Sequence, residues 1–174
     1  MKIVFIDPKG VWEGLNNGIA YIANNLSPHE VKVIDFVNKE GSEDKRLEAA
    51  RDADFVGFSI KSFTLDESLR VAKKIKSMNP LAKMVAGGPH IMVDGLNFMK
   101  ENSVFDIGIK GEAEIAFREI LEKPLAEVDG VIYRDGNEIK ENCARKWIAN
   151  LDDLPFPDYN NFDSVNLDGK LHRI

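Results

Sequence analysis

The stretch MVAGGPHIMVDG, residues 84–95, decides how the rest of the chain is read. Met84-Val85-Ala86 has the pattern of a short buried strand, Gly87-Gly88 removes two side chains where the chain turns, and Pro89 ends the strand. After His90, the residues Ile91, Met92, Leu96 and Met99 resume at helical spacing. A strand that stops at paired glycines and restarts as a helix lets bare main chain approach a ligand closely. The neighbouring strand ends have a similar character: Gly57-Phe58-Ser59 before this one and Gly108-Ile109-Lys110-Gly111-Glu112 after it. Three such ends in succession predict one continuous ligand floor.

Working outward, short apolar runs with β-branched residues recur at 2–6, 31–36, 55–60, 82–86 and 105–109. Helical spacing fills the intervals at 15–26, 65–77, 91–101 and 112–122, with a more charged helix around Leu47, Ala50 and Arg51. Strands that are apolar on both faces and alternate with helices predict a parallel sheet covered on both sides, joined by right-handed crossovers. The fold class is α/β: a doubly wound five-stranded parallel sheet, flavodoxin-like or Rossmann-like. After Pro124 the pattern changes. Residues 128–134 and 138–140 flank the turn signal Asp135-Gly136-Asn137, predicting a small β-hairpin. Pro155 and Pro157 disfavour regular structure beyond it, and 160–174 reads as a linker that has been cut. The expected division is 1–124 for the α/β domain and 125–174 for hairpin and Pro-rich linker.

Composition narrows the function. The 174 residues carry a net charge of −6, with lysines and arginines scattered, which argues against a nucleic-acid surface or an anionic membrane partner. The single cysteine, Cys143, excludes an intrachain disulfide framework and any multi-cysteine metal site in this chain. No apolar run reaches membrane-spanning length, and the first run is too short for a signal segment, so the expected location is cytoplasmic.

Ligands of open doubly wound sheets bind outside the carboxyl ends of the strands. That groups residues 7–14, 59–64, 87–90 and 110–112 around one crevice. A phosphoacceptor receiver needs a carboxylate at the end of the third strand, where this chain has Ser59. A flavodoxin-type phosphate loop or a G-x-G-x-x-G motif should follow the first strand, but that loop holds Asp7, Pro8, Trp12 and Glu13 with only Gly10 and Gly14. The glycines have moved to the fourth and fifth strands, which favours a ligand reaching across the centre of the sheet.

Four segments in order then resemble a known family: Ser59 with Thr64; Gly87-Gly88-Pro89-His90; Gly111-Glu112-Ala113-Glu114; and Leu151-Asp152-Asp153-Leu154-Pro155-Phe156-Pro157-Asp158-Tyr159. Together they resemble the N-terminal cobalamin-binding domain of cobalamin-dependent radical S-adenosylmethionine enzymes, through about Tyr159. The resemblance implies cobalamin over the strand ends, its nucleotide tail threaded into the crevice. The cofactor-binding residues it implies are Lys9, Gly10, Ser59, Ile60, Ser62, Thr64, Gly87, Gly88, Pro89, Gly111 and Glu112. It implies no catalytic residue here. An iron–sulfur cluster and S-adenosylmethionine belong to the barrel that follows in such enzymes, and that barrel is the expected partner. The chain would then be an excised domain, not catalytic by itself, of a parent carrying out methyl transfer or related radical chemistry. Many cobalamin domains place Asp-x-His-x-x-Gly after the first strand; Lys9 stands where that His would fall, so base-off cobalamin without a protein imidazole is expected.

Simpler roles compete at several positions. Gly87-Gly88 also suits close helix–strand packing, and Thr64 with Glu67 suits a capping box. His90 suits a capping or packing role, Glu112 and Glu114 a helix dipole, the lysines at 73, 74 and 76 a solvated face, and Cys143 an incidental thiol. The opposing functional class is a docking or regulatory module that kept the fold and lost the cofactor.

Overall fold

The structure, a computed structural model, describes residues 1–9, 14–38 and 41–165. Strands β1 (Lys2–Asp7), β2 (Glu30–Asp35), β3 (Phe55–Ser59), β4 (Lys83–Gly87) and β5 (Ile107–Ile109) alternate with helices α1 (Asn17–Asn24), α2 (Glu43–Leu47), α3 (Leu65–Met78), α4 (Pro89–Glu101) and α5 (Ala113–Glu122). The five strands are parallel in the order β2-β1-β3-β4-β5, the flavodoxin-like winding. β1 is buried over nearly its whole length, as a central strand covered on both faces must be.

Two cores result. One face packs Val4, Ile6, Val56, Phe58, Met84 and Ala86 against α3 and α4; the other packs Ile3, Phe5, Val85, Ile107 and Ile109 against α1 and α5. Alternate residues of each strand serve opposite faces, so every apolar run feeds both cores.

Local chemistry sets the helix ends. The Asn16 side chain caps α1 by accepting from the Ile19 N–H, and Pro89 opens α4 in the first turn, where its missing N–H costs nothing. The anticipated Thr64–Glu67 box does not form. The Thr64 hydroxyl accepts from Lys61 N at 3.1 Å and donates to Lys61 O at 3.0 Å, while Glu67 pairs with Arg70. The charged second helix is short, five residues followed by a 3-10 turn.

The C-terminal part is more integrated than its sequence suggests. β6 (Val131–Asp135) and β7 (Glu138–Glu141) form the expected hairpin, but β6 also pairs antiparallel with β5, so the hairpin extends the sheet to seven strands. The following segment returns across the α1/α5 side to the far edge of the sheet, where Phe162 bridges Val33 in parallel and is buried. Asp163 fixes it there by accepting from both Nε and Nη2 of Arg46 and from the main chain of Asp35. Residues 159–165 are therefore packed structure rather than linker; 166–174 lie outside the described residues. No described helix is long and apolar enough to cross a membrane.

Candidate functional site

The pleat builds the site. Phe5, Gly57, Val85 and Ile107 pair in one row across β1, β3, β4 and β5, and Ser59 pairs with Gly87 two residues further on. With a period of two, Asp7, Ser59, Gly87 and Ile109 lie on the same face as that row, one step nearer the carboxyl ends. Over these two rows, between α1 and α5, opens a cavity of about 380 Å³. That lies at the lower end of ligand sites, large enough for one arm of a ligand. Phe5, Ile19, Ile22, Val85, Ile109 and Phe117 give it an apolar lining, while Asn16, Ser59, Lys61, Glu112 and Glu114 supply polar groups from strand ends and helix starts.

Glycines decide where the space is. At Gly87 a Cβ would meet nothing closer than the Phe58 carbonyl at 3.8 Å, so its missing side chain is open room on the cavity. Gly88 is different: with φ +96° its Cβ would lie 2.8 Å from both N and O of Ile60. Gly88 is required by the turn and Gly87 by the cavity. At Gly57 a Cβ would come within 2.6 Å of the Phe5 ring, so this glycine makes room for that ring, whose centroid lies 4.9 Å from that of Phe117. The floor is therefore largely aromatic and aliphatic, with bare main chain contributed by the lining glycines Gly18, Gly57, Gly87, Gly88 and Gly111.

A polar cluster stands at the strand ends. Asp7 is buried and accepts from Asn16 Nδ2 at 3.0 Å and from the Lys61 ammonium at 3.3 Å. Burial pushes its carboxyl above the ordinary range, against the opposing pull of Lys61 and Asn16. Asn16 also donates to Ser59 Oγ at 3.2 Å, joining β1, α1 and β3 in one network. Burial likewise raises Glu114. Glu112 accepts the Ile148 N–H at 2.8 Å, which ties the returning C-terminal segment to the start of α5.

Of the residues expected from sequence, Ser59, Gly87, Gly88, Pro89, Gly111 and Glu112 line this cavity together. Ile60, Ser62, Thr64 and Lys9 do not. Ile60 is buried on the opposite face, and its main chain accepts from His90 N and donates to Gly87 O, bracing the glycine turn. Thr64 is buried with its hydroxyl spent on Lys61, and Ser62 bonds Nδ1 of His90 at 3.1 Å. Lys9 is exposed. Gly10, with Trp12 and Glu13, lies outside the described residues. Asn16 and the apolar lining fall outside the segments expected from sequence, while Lys61 and Glu114 lie within them without being singled out for binding, because side chains facing a cavity and side chains facing a core share one periodicity.

The donor set and shape fit a large, polar-rimmed cofactor with a slender arm: an opening at Gly87, hydroxyl and amide groups at its edge, and an apolar slot behind. A family model for the B12 binding domain matches residues 1–121. The chain belongs to the B12-binding domain family. The cofactor of that family is cobalamin. An uncharacterized methyltransferase of Pyrococcus horikoshii is 28% identical over 150 residues, covering 82% of this chain and 33% of that protein. The cobalamin-dependent radical SAM methyltransferase TokK of Streptomyces tokunonensis is 33% identical over 110 residues, covering 60% of this chain and 16% of TokK. The radical S-adenosylmethionine methyltransferase TsrM from Kitasatospora setae, solved with cobalamin and a 4Fe–4S cluster bound, superposes with a TM-score of 0.71 at 13% identity. That match covers 92% of this chain and 32% of TsrM, and it shows the fold. The B12-binding domain described here thus spans a third or less of the length of these relatives.

Proposed function

We propose that this B12-binding domain holds cobalamin with the nucleotide arm inserted at Gly87, between α1 and α5. The single observation that carries this is the open space at Gly87 beside the cavity, on a strand end where a Cβ would meet almost nothing. Ser59, Lys61 and Glu112 at the start of α5 supply polar groups to the arm and the corrin amides, while Pro89 edges the opening without a donor of its own. Lys9 is exposed, and His90 turns to Ser62 and the edge of Phe98. This arrangement supports base-off cobalamin with no protein imidazole beneath cobalt.

In the whole protein the domain presents cobalamin to a radical S-adenosylmethionine barrel for methyl transfer, with residues 1–124 as carrier, the following segment leading to the barrel, and a cytoplasmic location. The radical S-adenosylmethionine methyltransferases among the relatives support the pairing with such a barrel. The cobalt chemistry comes from the cofactor; the residues named here bind and orient it.

Incubating the chain with hydroxocobalamin and desalting tests the reading. Retained corrin absorption, with the band positions of the base-off form, is expected. A colourless protein would overturn it and favour a docking module that has lost its cofactor.

A further inference from the structure

Resting on the cobalamin reading above, we infer that the cavity selects the base at the end of the nucleotide arm, accepting benzimidazole-type bases and disfavouring purines. Natural corrinoids share the ring and the phosphodiester arm but differ in this base. A dimethylbenzimidazole presents an apolar edge of methyl groups, whereas an adenine presents an exocyclic amine and ring nitrogens that need hydrogen-bond partners.

The cavity separates its polar and apolar surfaces by depth in the sheet. Its polar side chains belong to the row at the strand ends and to the helix starts: Ser59, Lys61, Glu112 and Glu114. The row below offers Phe5 and Val85, with Ile19 and Ile22 from α1 and Phe117 from α5, and none of these carries a side-chain nitrogen or oxygen. The main-chain groups of Phe5 and Val85 are committed to the parallel ladder. Asn16, the capping residue before α1 and part of the lining, is engaged elsewhere: Oδ1 accepts from Ile19 N, and Nδ2 donates to Asp7 and Ser59. An arm entering at Gly87 with its sugar and phosphate among the polar groups therefore places its base against Phe5, Phe117 and the isoleucines. A flat apolar base gains stacking and burial there. A purine loses its water hydrogen bonds and finds no side-chain replacement among Phe5, Val85, Ile19, Ile22 and Phe117, leaving Glu114, three residues before Phe117 on α5, as the lining carboxyl that could meet its amine. The shortfall is the penalty apolar pockets use against polar analogues.

Equilibrium dialysis of the 174-residue chain, followed by corrin absorption, tests this with three probes: hydroxocobalamin, the adenine-containing cobamide, and cobinamide, which lacks the arm. Hydroxocobalamin is expected to bind about tenfold to a hundredfold more tightly than the adenine form, and cobinamide more weakly than hydroxocobalamin. Equal affinity for the two complete cobamides overturns the selectivity while leaving the cobalamin reading intact. Cobinamide binding as tightly as hydroxocobalamin removes the arm from the cavity, and binding of no corrinoid removes the cobalamin reading itself. In a second protein, Ile22→Gln, the half-buried wall gains an amide able to serve a purine. The ratio should fall several-fold toward unity, and a ratio unmoved by this change overturns the assignment of the preference to this wall.

Discussion

The two faces of the sheet are built from the same strands and finish differently at their carboxyl ends. On the α3/α4 face, Phe58 meets Phe105 edge-on at 5.4 Å and Phe98 meets Phe105 at 5.2 Å, with Ile60 and Ile91 fully buried beside them. On the α1/α5 face, Phe5 and Phe117 pack against each other, and the row above them gives way to open space at Gly87. The contrast is sharpest between adjacent residues of β4: Ala86 is fully buried on the filled face, and Gly87 leaves the other face open. The absent side chain at the end of this central strand thus marks where a filled face gives way to an open one.

The comparison breaks most forcefully at the filled face. Phe98→Ala should destabilise the protein by about 3–5 kcal/mol, read by urea unfolding, while the corrin affinity of the folded protein stays as it was. A parallel loss of affinity would mean that the two faces are not separable. On the open face, Gly87→Val should weaken hydroxocobalamin binding by at least a hundredfold, about 2.7 kcal/mol, with little change in melting temperature. Gly88→Val should do the reverse first: its positive φ and the contact with Ile60 cost about 1–3 kcal/mol of backbone strain alone, and the fold weakens whether or not corrin is added. If the two glycine variants behaved alike, the distinction between turn glycine and cavity glycine would be lost.

The smallest effect separates the faces by pH. Glu43 on α2 is held down to about 2 by hydrogen bonds from Arg70 and Lys74, so the stability it contributes is present above its usual value of 4.5 and lost as pH falls toward 2. Being largely at the surface, it is worth below about 1 kcal/mol. Asp7 runs the other way. Its folded-state carboxyl is raised from 3.8 by burial, so the folded state binds the proton more tightly and stability declines as pH rises through that interval. Unfolding of Glu43→Gln and Asp7→Asn across the acid range should therefore change the pH slope with opposite signs; slopes of one sign would show that Asp7 is governed by Lys61 rather than by burial.

Much of the fold was readable because strand and helix periods are local properties. The five parallel strands and the four longer helices fall within a residue or two of where the apolar pattern places them; the second helix lies earlier, at Glu43–Leu47, and the first hairpin strand starts three residues later, at Val131. The path of the C-terminal segment was not readable, since Phe162 and Asp163 reach β2 through partners more than a hundred positions away, Val33, Asp35 and Arg46. The site was half readable. Glycine and strand-end logic groups Ser59, Gly87, Gly88, Pro89, Gly111 and Glu112, and these line one cavity; the hydroxyls of Ser62 and Thr64, expected beside them, bond His90 and Lys61 instead.

What the residue pattern determined alone was the doubly wound sheet, the grouping of glycines and polar residues at the strand ends, and a family resemblance to cobalamin carriers. Only the tertiary structure decided which glycine is space and which is turn, that Phe5 and Phe117 floor the cavity, and that Asn16 and Lys61 join Asp7 at its edge. The reason is physical: periodicity reports which face a residue serves, but whether that face is filled depends on side chains arriving from other elements.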